Sequence, residues 1–201
     1  MKTKFIIAAF AATLSLAAGC SGVLDSAQPA RQVYMLMPLP GSAAGVSDEN
    51  RPELWIDLSA VPGLDTDWVQ ALGSDATLTR YSNARWTDSL PEVLASVLQR
   101  SLATSGKFSA VGLSSRASNS GWLLRLENDS FYGLQNADGV TNSVAVSFSG
   151  SIECAGTRHA FALNEKVSVG AQRVSSVVAA HQQGLNAVTE QLISTIDNAC
   201  E

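Results

Sequence analysis

The chain contains 201 residues, of which 46% are hydrophobic and 15% are charged, and its formal net charge is −5. This length suits one domain of ordinary size, and the apolar content excludes a disordered chain because it is ample for a buried core. The excess of 18 acidic over 13 basic residues argues against a nucleic-acid binder that works by neutralising phosphates.

The first twenty residues have the pattern of a targeting segment. Lys2 and Lys4 precede an apolar run, residues 5–16, which has the length of a signal-peptide core and is too short to span a bilayer. Small residues and Cys20 follow, so the segment resembles a bacterial lipoprotein signal, in which the chain is cut before a cysteine that then carries lipid. The alternative is an ordinary secretory signal with an incidental cysteine.

We therefore expect a signal peptide over residues 1–19 and a lipidated cysteine with a flexible tether over residues 20–32. The tether is small, polar and aperiodic, and about twelve extended residues reach roughly 40 Å. Ser21 follows the cysteine, whereas an Asp at that place retains lipoproteins on the inner membrane in enteric-type sorting. Its absence favours the outer membrane of a Gram-negative cell, with the protein facing the periplasm.

The folded part, residues 33–201, opens with two predicted strands. Residues 32–39 are rich in strand formers and end at prolines, and residues 53–61 alternate between apolar and polar side chains. The less regular stretch that follows is expected to hold a short helix capped by Asp65 and then a short strand, residues 65–72 and 77–81.

The clearest helix is predicted over residues 90–104, where aliphatic side chains recur at helical spacing and form one stripe. Ser89 and Glu92 fit a capping box at its start. Pro91 lies in the first turn, where no amide donor is missed, and Gly106 is a suitable C-terminal stop.

Residues 143–154 form the cleanest predicted strand, with apolar side chains on one face and mostly serines on the other. Such alternation indicates one buried and one solvated face, which is typical of an antiparallel sheet. The other elements of this half are strands and a final helix, predicted over residues 109–113, 122–134, 160–169 and 174–196. The sequence therefore predicts an α+β single domain, in which two helices pack on one face of a largely antiparallel sheet.

Cys154 and Cys200 remain as an even pair in an oxidising compartment if Cys20 is lipidated. Cys154 lies on the buried face of its strand, and Cys200 lies near the edge of the apolar stripe of the last helix. A helix that covers this face could bring the two together, so we predict a disulfide. The alternative is two separate thiols, one of them on a frayed C-terminus.

Patterns of enzymatic chemistry are absent from the sequence, which has no nucleophile elbow, no HExxH and no P-loop. His159 lies near a hairpin turn and is expected to be exposed, whereas His181 lies on the inner stripe of the last helix, where a core histidine is favoured over a catalytic base. Asp65 and Asp67 fit capping better than acid–base work or Ca²⁺ binding. We expect no enzymatic activity, no cofactor and no metal.

The segment Ala-Arg-Trp-Thr-Asp-Ser-Leu at residues 84–90 resembles the auxiliary lipoprotein family of ABC-type transporters, the paraquat-inducible PqiC type, as do Tyr34 with Leu36 and the last helix. In that family an Arg-Trp pair, often followed by an acidic residue and Leu-Pro, opens the first helix. The matching residues are Arg85, Trp86, Asp88, Leu90 and Pro91. The resemblance spans most of residues 33–197.

The resemblance implies a role in transport rather than a reaction. Family members resemble partners of MCE-domain (mammalian cell entry) proteins, which move lipids between the two membranes with a permease and an ATPase. The lipoprotein would dock the periplasmic MCE assembly to the outer membrane, with a homo-oligomeric ring as one arrangement. The alternatives are an outer-membrane assembly or envelope-integrity lipoprotein that acts as an interaction module, and a surface hydrolase that uses His181.

Two tryptophans invite separate interpretations. Trp86, beside a helix N-terminus, is expected to pack on the sheet while Arg85 reaches a nearby acid, which we favour over direct contact with a partner. Trp68 lies in the irregular stretch and is the better candidate for a partner contact, because aromatic residues on loops tend to anchor interfaces.

Overall fold

The computed structural model describes residues 30–41, 50–114 and 121–200. The predicted signal peptide, Cys20 and most of the predicted tether lie outside the described residues. The chain divides after Arg31, and the second unit, Gln32–Glu201, carries the fold.

Eight strands and two helices occur within the described residues. The strands are β1 (Gln32–Tyr34), β2 (Glu53–Ala60), β3 (Trp68–Leu72), β4 (Leu78–Trp86), β5 (Ala110–Leu113), β6 (Trp122–Gln135), β7 (Thr141–Cys154) and β8 (Thr157–Ser168). The helices are α1 (Leu90–Ala103) and α2 (Val174–Ala199). Within these ranges, neither helix is long and apolar enough to cross a membrane.

All eight strands belong to one sheet, and the long strand β6 lies at its centre. On one side of β6, β7 and then β8 continue the sheet in antiparallel order. On the other side, β2 runs parallel to the first half of β6 and β3 runs parallel to its end. The sheet therefore divides there into two branches: β5 extends one beyond β2, and β4 and β1 extend the other beyond β3.

The sheet is mixed, so the prediction of a largely antiparallel sheet was wrong. Among the described strands, four pairings are parallel and three are antiparallel. Alternation of apolar and polar residues reports that one face of a strand is covered, but strand direction depends on the connection. Between β2 and β6 the chain passes through the β3–β4 hairpin, α1 and β5. This long connection lets β6 run parallel to β2. The α+β class with two helices holds.

The stretch between residues 64 and 86 forms a β-hairpin. The predicted short helix over residues 65–72 was wrong, because β3 occupies this place, whereas the predicted strand over residues 77–81 is confirmed as the first part of β4. Val69 and Ala71 are buried and alternate with half-exposed neighbours, which is the periodicity of a strand. The turn is closed by the Gly73 N–H, which donates to the Thr77 carbonyl at 2.9 Å, and Ala76 adopts a positive φ of 65°. Cross-strand pairing therefore decides the conformation of this stretch.

Both helices cover the same face of the sheet. α1 packs against β2 and β5, and α2 packs against β7 and β8. Gly184 lets α2 approach β7 closely, because a Cβ at this position would lie 2.9 Å from a methyl group of Val146. The covered face and the helices share one core, whose largest fully buried side chains include Leu54, Ile56, Leu94, Leu98, Leu124, Phe131, Phe148 and Ile152.

The start of α1 differs from the predicted capping box. Ser89 makes no side-chain cap bond. Instead, its own N–H donates to the Asp88 carboxylate at 2.7 Å, and the Leu90 N–H donates to the Thr66 carbonyl at 2.9 Å. Since Pro91 has no N–H, the first two positions of the helix need no bond from the serine hydroxyl.

A disulfide joins Cys154, the last residue of β7, to Cys200, which follows the last helical turn, with a Cα–Cα distance of 5.9 Å. The bond spans a sequence separation of 46 residues, which includes β8 and α2. It therefore ties the C-terminal helix to the sheet that this helix covers.

Replacing both cysteines, Cys154→Ser with Cys200→Ser, should lower the free energy of unfolding by about 4 kcal/mol, because the crosslink restricts the unfolded chain. Denaturant unfolding of the variant and of the oxidised wild-type protein measures the difference. Reduced wild-type protein serves as the control and should match the variant. Two alkylatable thiols in the unreduced mature protein would contradict the bond.

Candidate functional site

The side chains of Arg85 and Trp86 lie on opposite faces of the sheet, because consecutive residues of a strand point to opposite faces. Trp86 lies on the face covered by the helices and is 2% exposed. Arg85 lies on the opposite face, which we call the open face. The two residues at the end of β4 therefore serve different sides of the molecule.

On the covered face, Trp86 packs in an aromatic cluster with Phe131 of β6 and His181 of α2. The Trp86 ring meets both partners edge-on, with ring centroids 5.6 Å apart in each case. The rings of Phe131 and His181 lie 4.7 Å apart. Such pairs add about 0.5–1.5 kcal/mol each beyond the burial of their area. The cluster joins β4, β6 and α2. Its member on β4, Trp86, lies four residues before the first residue of α1.

His181 is a core histidine, as its position on the inner stripe of the last helix predicts. Its side chain is fully buried, and Nδ1 donates to the Val177 carbonyl at 2.9 Å. Burial lowers the pKa of His181 to about 4, against the opposing effect of the Val177 and Phe131 backbone groups. The ring is neutral near pH 7 and enclosed, so a substrate at the surface does not reach it. His159, in contrast, is half-buried rather than exposed.

Phe131 enters this cluster because of a bulge in β6, which the strand predicted over residues 122–134 did not include. The register with β7 shifts between Asn128 and Ser130, so the residues that face the core change from even to odd numbers. Asn128 is fully buried, and its side-chain amide donates to the carbonyls of Ser130 and Ser147 at 3.1 and 3.0 Å. A buried-face asparagine followed by a break in alternation is the signal that could have revealed the bulge.

On the open face, Arg85 belongs to a group of four residues that we call the Trp68 stack: Asp67, Trp68, Arg80 and Arg85. The guanidinium groups of Arg85 and Arg80 lie over the indole ring of Trp68, 3.5 and 4.2 Å from its centroid. Arg85 also pairs with the carboxylate of Asp67. Cation–π contacts at exposed sites contribute about 0.5–1 kcal/mol each, so the stack holds β3 and β4 together.

Trp68 lies at the start of β3 and not in an irregular loop. It is half-buried, whereas Arg80 beside it is exposed. The ring is partly covered by two cations of its own chain, so the surface at this point is both aromatic and positively charged. That Trp68 contacts a partner stays a prediction.

The other residues of the motif shape the start of α1. Asp88 accepts a hydrogen bond from the Ser89 N–H, Leu90 is 1% exposed in the core, and Pro91 occupies the first turn. All five motif residues thus have a local structural role at the junction of β4 and α1.

The acidic residues near this junction do not form a cation site. Asp65 is exposed, and Asp67 pairs with Arg85. No group of three or more His, Cys, Asp or Glu side chains that could hold a metal ion occurs in the part of the chain that the structure describes.

Farther along, the open face is polar. Glu153 accepts contacts from Arg125 and Arg158 at 3.3 and 3.5 Å, and Asp57 and Glu127 lie in a shallow depression beside them. These charges are about half exposed, so the pairs contribute little to stability. They make this face a hydrophilic surface.

Acidification should weaken the fold through His181. Its pKa is about 4 in the fold against an ordinary value of 6.5, so the unfolded chain takes up the proton first. The neutral ring makes its full contribution to the free energy of unfolding above about pH 6.5. This contribution is lost as the pH falls toward 4, by up to about 1 kcal/mol per pH unit. Denaturant unfolding across this pH range measures the loss.

The variant His181→Leu should have a shallower dependence of unfolding free energy on pH over the same range, because the titrating ring is gone. The matched control His159→Gln should keep the wild-type slope. Parallel slopes for wild type and His181→Leu would show that another group is responsible.

Comparison with known proteins gives a family and a fold. The family model described as "ABC-type transport auxiliary lipoprotein component" matches residues 34–193. No curated protein matches the sequence. Two solved structures share the fold at 17% identity: an uncharacterized protein, with a TM-score of 0.65 over 84% of this chain and 99% of its own, and a Xanthomonas campestris protein described under the family model DUF330, with a TM-score of 0.64 over 82% and 94%.

Proposed function

The chain belongs to the family of ABC-type transport auxiliary lipoprotein components, and we propose that it is the lipid-anchored, non-enzymatic subunit of an MCE/ABC-type system that moves phospholipid between the inner and outer membranes. The observation that carries the proposal is the family match over residues 34–193, in a chain whose first twenty residues resemble a lipoprotein signal. The anchor is Cys20, and the protein faces the periplasm from the outer membrane.

The role we propose requires no catalytic site in this subunit, because the energy for transport would come from the ATPase of the system. His181, the histidine that a hydrolase would need, is sealed in the core with a lowered pKa. The described residues instead offer surfaces: a polar open face and the Trp68 stack at its edge. Such surfaces suit a subunit that is held by a membrane and itself holds a partner.

The proposed partner is the periplasmic MCE-domain protein, which the lipoprotein docks to the outer membrane, with a homo-oligomeric ring as the proposed arrangement. Trp68 is the proposed contact. Aromatic and arginine side chains are enriched among residues that dominate binding energy, and this stack supplies one tryptophan and two arginines.

The anchor is tested with Cys20→Ala. This variant should lose labelling by a radioactive fatty acid and should appear as an unprocessed precursor or in the soluble fraction, because acyl chains hold the mature protein through the burial of their methylenes. Ser21→Ala is the control and should be labelled and membrane-bound. Unchanged lipid labelling of Cys20→Ala would refute the anchor.

The partner is tested by affinity purification of the tagged protein from detergent-solubilised membranes, with proteins identified by mass spectrometry. The wild type should recover an MCE-domain protein with its permease and ATPase. Trp68→Ala should recover severalfold less, whereas Trp55→Ala, which removes a second half-buried tryptophan outside the stack, should not. Recovery of a β-barrel or of peptidoglycan without any MCE protein would favour an envelope-assembly role instead.

A further inference from the structure

An apolar ridge lies where the fold begins. Val33, Met35 and Met37 are 61%, 62% and 55% exposed, while Leu36 between them is 1% exposed. Only one other large hydrophobic residue among those described, Leu78, is exposed. Exposed apolar side chains thus concentrate on one side of β1 and of the extended segment after it, and this concentration points to an interaction surface.

The backbone beneath the ridge is fastened to both helices. The side-chain amide of Gln182 on α2 accepts from the Met37 N–H at 2.7 Å and donates to the Met37 carbonyl at 2.9 Å. The Leu39 N–H donates to the Ser101 hydroxyl of α1 at 2.9 Å. Since the peptide groups of Met37 are satisfied from the inside, the Met37 side chain can leave water without stranding the polar groups of its own backbone.

We propose that this ridge is a membrane-contact surface, in which Val33, Met35 and Met37 lie against the lipid bilayer to which the protein is anchored. The inference rests on the proposed lipidation of Cys20. About twelve residues separate Cys20 from β1 and reach at most roughly 40 Å, so the bilayer is always within reach of the ridge. An anchored protein meets that surface at high effective concentration, and even a weak contact is then populated.

The chemistry of the ridge favours lipid over a partner strand. A partner that extends the sheet needs free backbone groups. At Met37 these groups are taken by Gln182, and the edge strand β1 has only three residues, so it offers a partner strand little to pair with. Methionine side chains are unbranched and adapt to irregular apolar surroundings, which suits the boundary between headgroups and acyl chains.

The charges around the ridge have both signs. Asp88, Glu92 and Arg100 line the groove of about 530 Å³ between Met35 and α1. The neighbouring Trp68 stack adds Arg80, Arg85 and Asp67, so these groups are three basic and three acidic. Since neither sign is in excess, the attraction is apolar and should change little with salt or with anionic lipid.

The ridge and the Trp68 stack are neighbours. Val33 is in register with Arg85, whose guanidinium lies over the Trp68 ring. A protein bound at the stack would therefore be held beside the bilayer surface, where a lipid must be delivered or collected.

The test uses the full lipidated protein in vesicles of phosphatidylcholine, with and without phosphatidylglycerol. An environment-sensitive fluorophore is attached to Met35→Cys or Met37→Cys, after the Cys154–Cys200 bond has been verified. The matched control is Leu78→Cys, an exposed apolar position at the far end of β4. At positions 35 and 37 we expect blue-shifted emission, loss of most of the emission to a spin-labelled lipid quencher and protection from aqueous iodide. Position 78 should show none of these.

The outcomes separate the ridge from the anchor. If the protein floats with the vesicles but probes 35 and 37 behave like probe 78, the ridge contact is refuted and the anchor stands. If the protein does not float, the anchor fails and the ridge contact fails with it. Shielding that needs an added MCE protein, or that rises with protein density on the vesicle, would identify a partner or a second copy as the occupant and would overturn the proposal.

Discussion

The burial of Trp86 is the constraint on which the rest of the structure depends. Its indole ring fills the space between the sheet and α2, where it meets Phe131 and His181 edge-on. Because this ring faces the core, Arg85 faces the other way. One buried side chain thus joins the end of β4 to β6 and to α2, four residues before the first residue of α1.

The two faces of the sheet differ in exposure and in polarity. The covered face is sealed by α1 and α2, and the disulfide between Cys154 and Cys200 keeps α2 in place. The open face carries polar and charged side chains, with the Trp68 stack at one end. The Arg-Trp motif is therefore a structural joint whose arginine also contributes to the open surface, which suits a transport subunit that works by contact.

The same arrangement places the start of the fold where an anchor can use it. β1 lies at the edge of the sheet beside β4, and the segment after it is fastened to both helices through Ser101 and Gln182. The proposed lipid on Cys20 would be attached to the chain just ahead of this segment, which these bonds hold to the sheet and to both helices.

The sequence by itself determined what depends on local periodicity: both helices, the clean strand from 143 to 154, its buried face and the inward position of His181. It also placed Cys154 and Cys200 on facing elements. Only the tertiary structure decided the rest. The direction of β2 depends on a distant strand, the hairpin from residue 64 to 86 depends on pairing with β6, and the bulge at Asn128 depends on carbonyl groups of two strands. The alternation of neighbouring side chains does not report strand direction or pairing, because the groups that pair are brought together by the fold; only the bulge leaves a local signal, at Asn128.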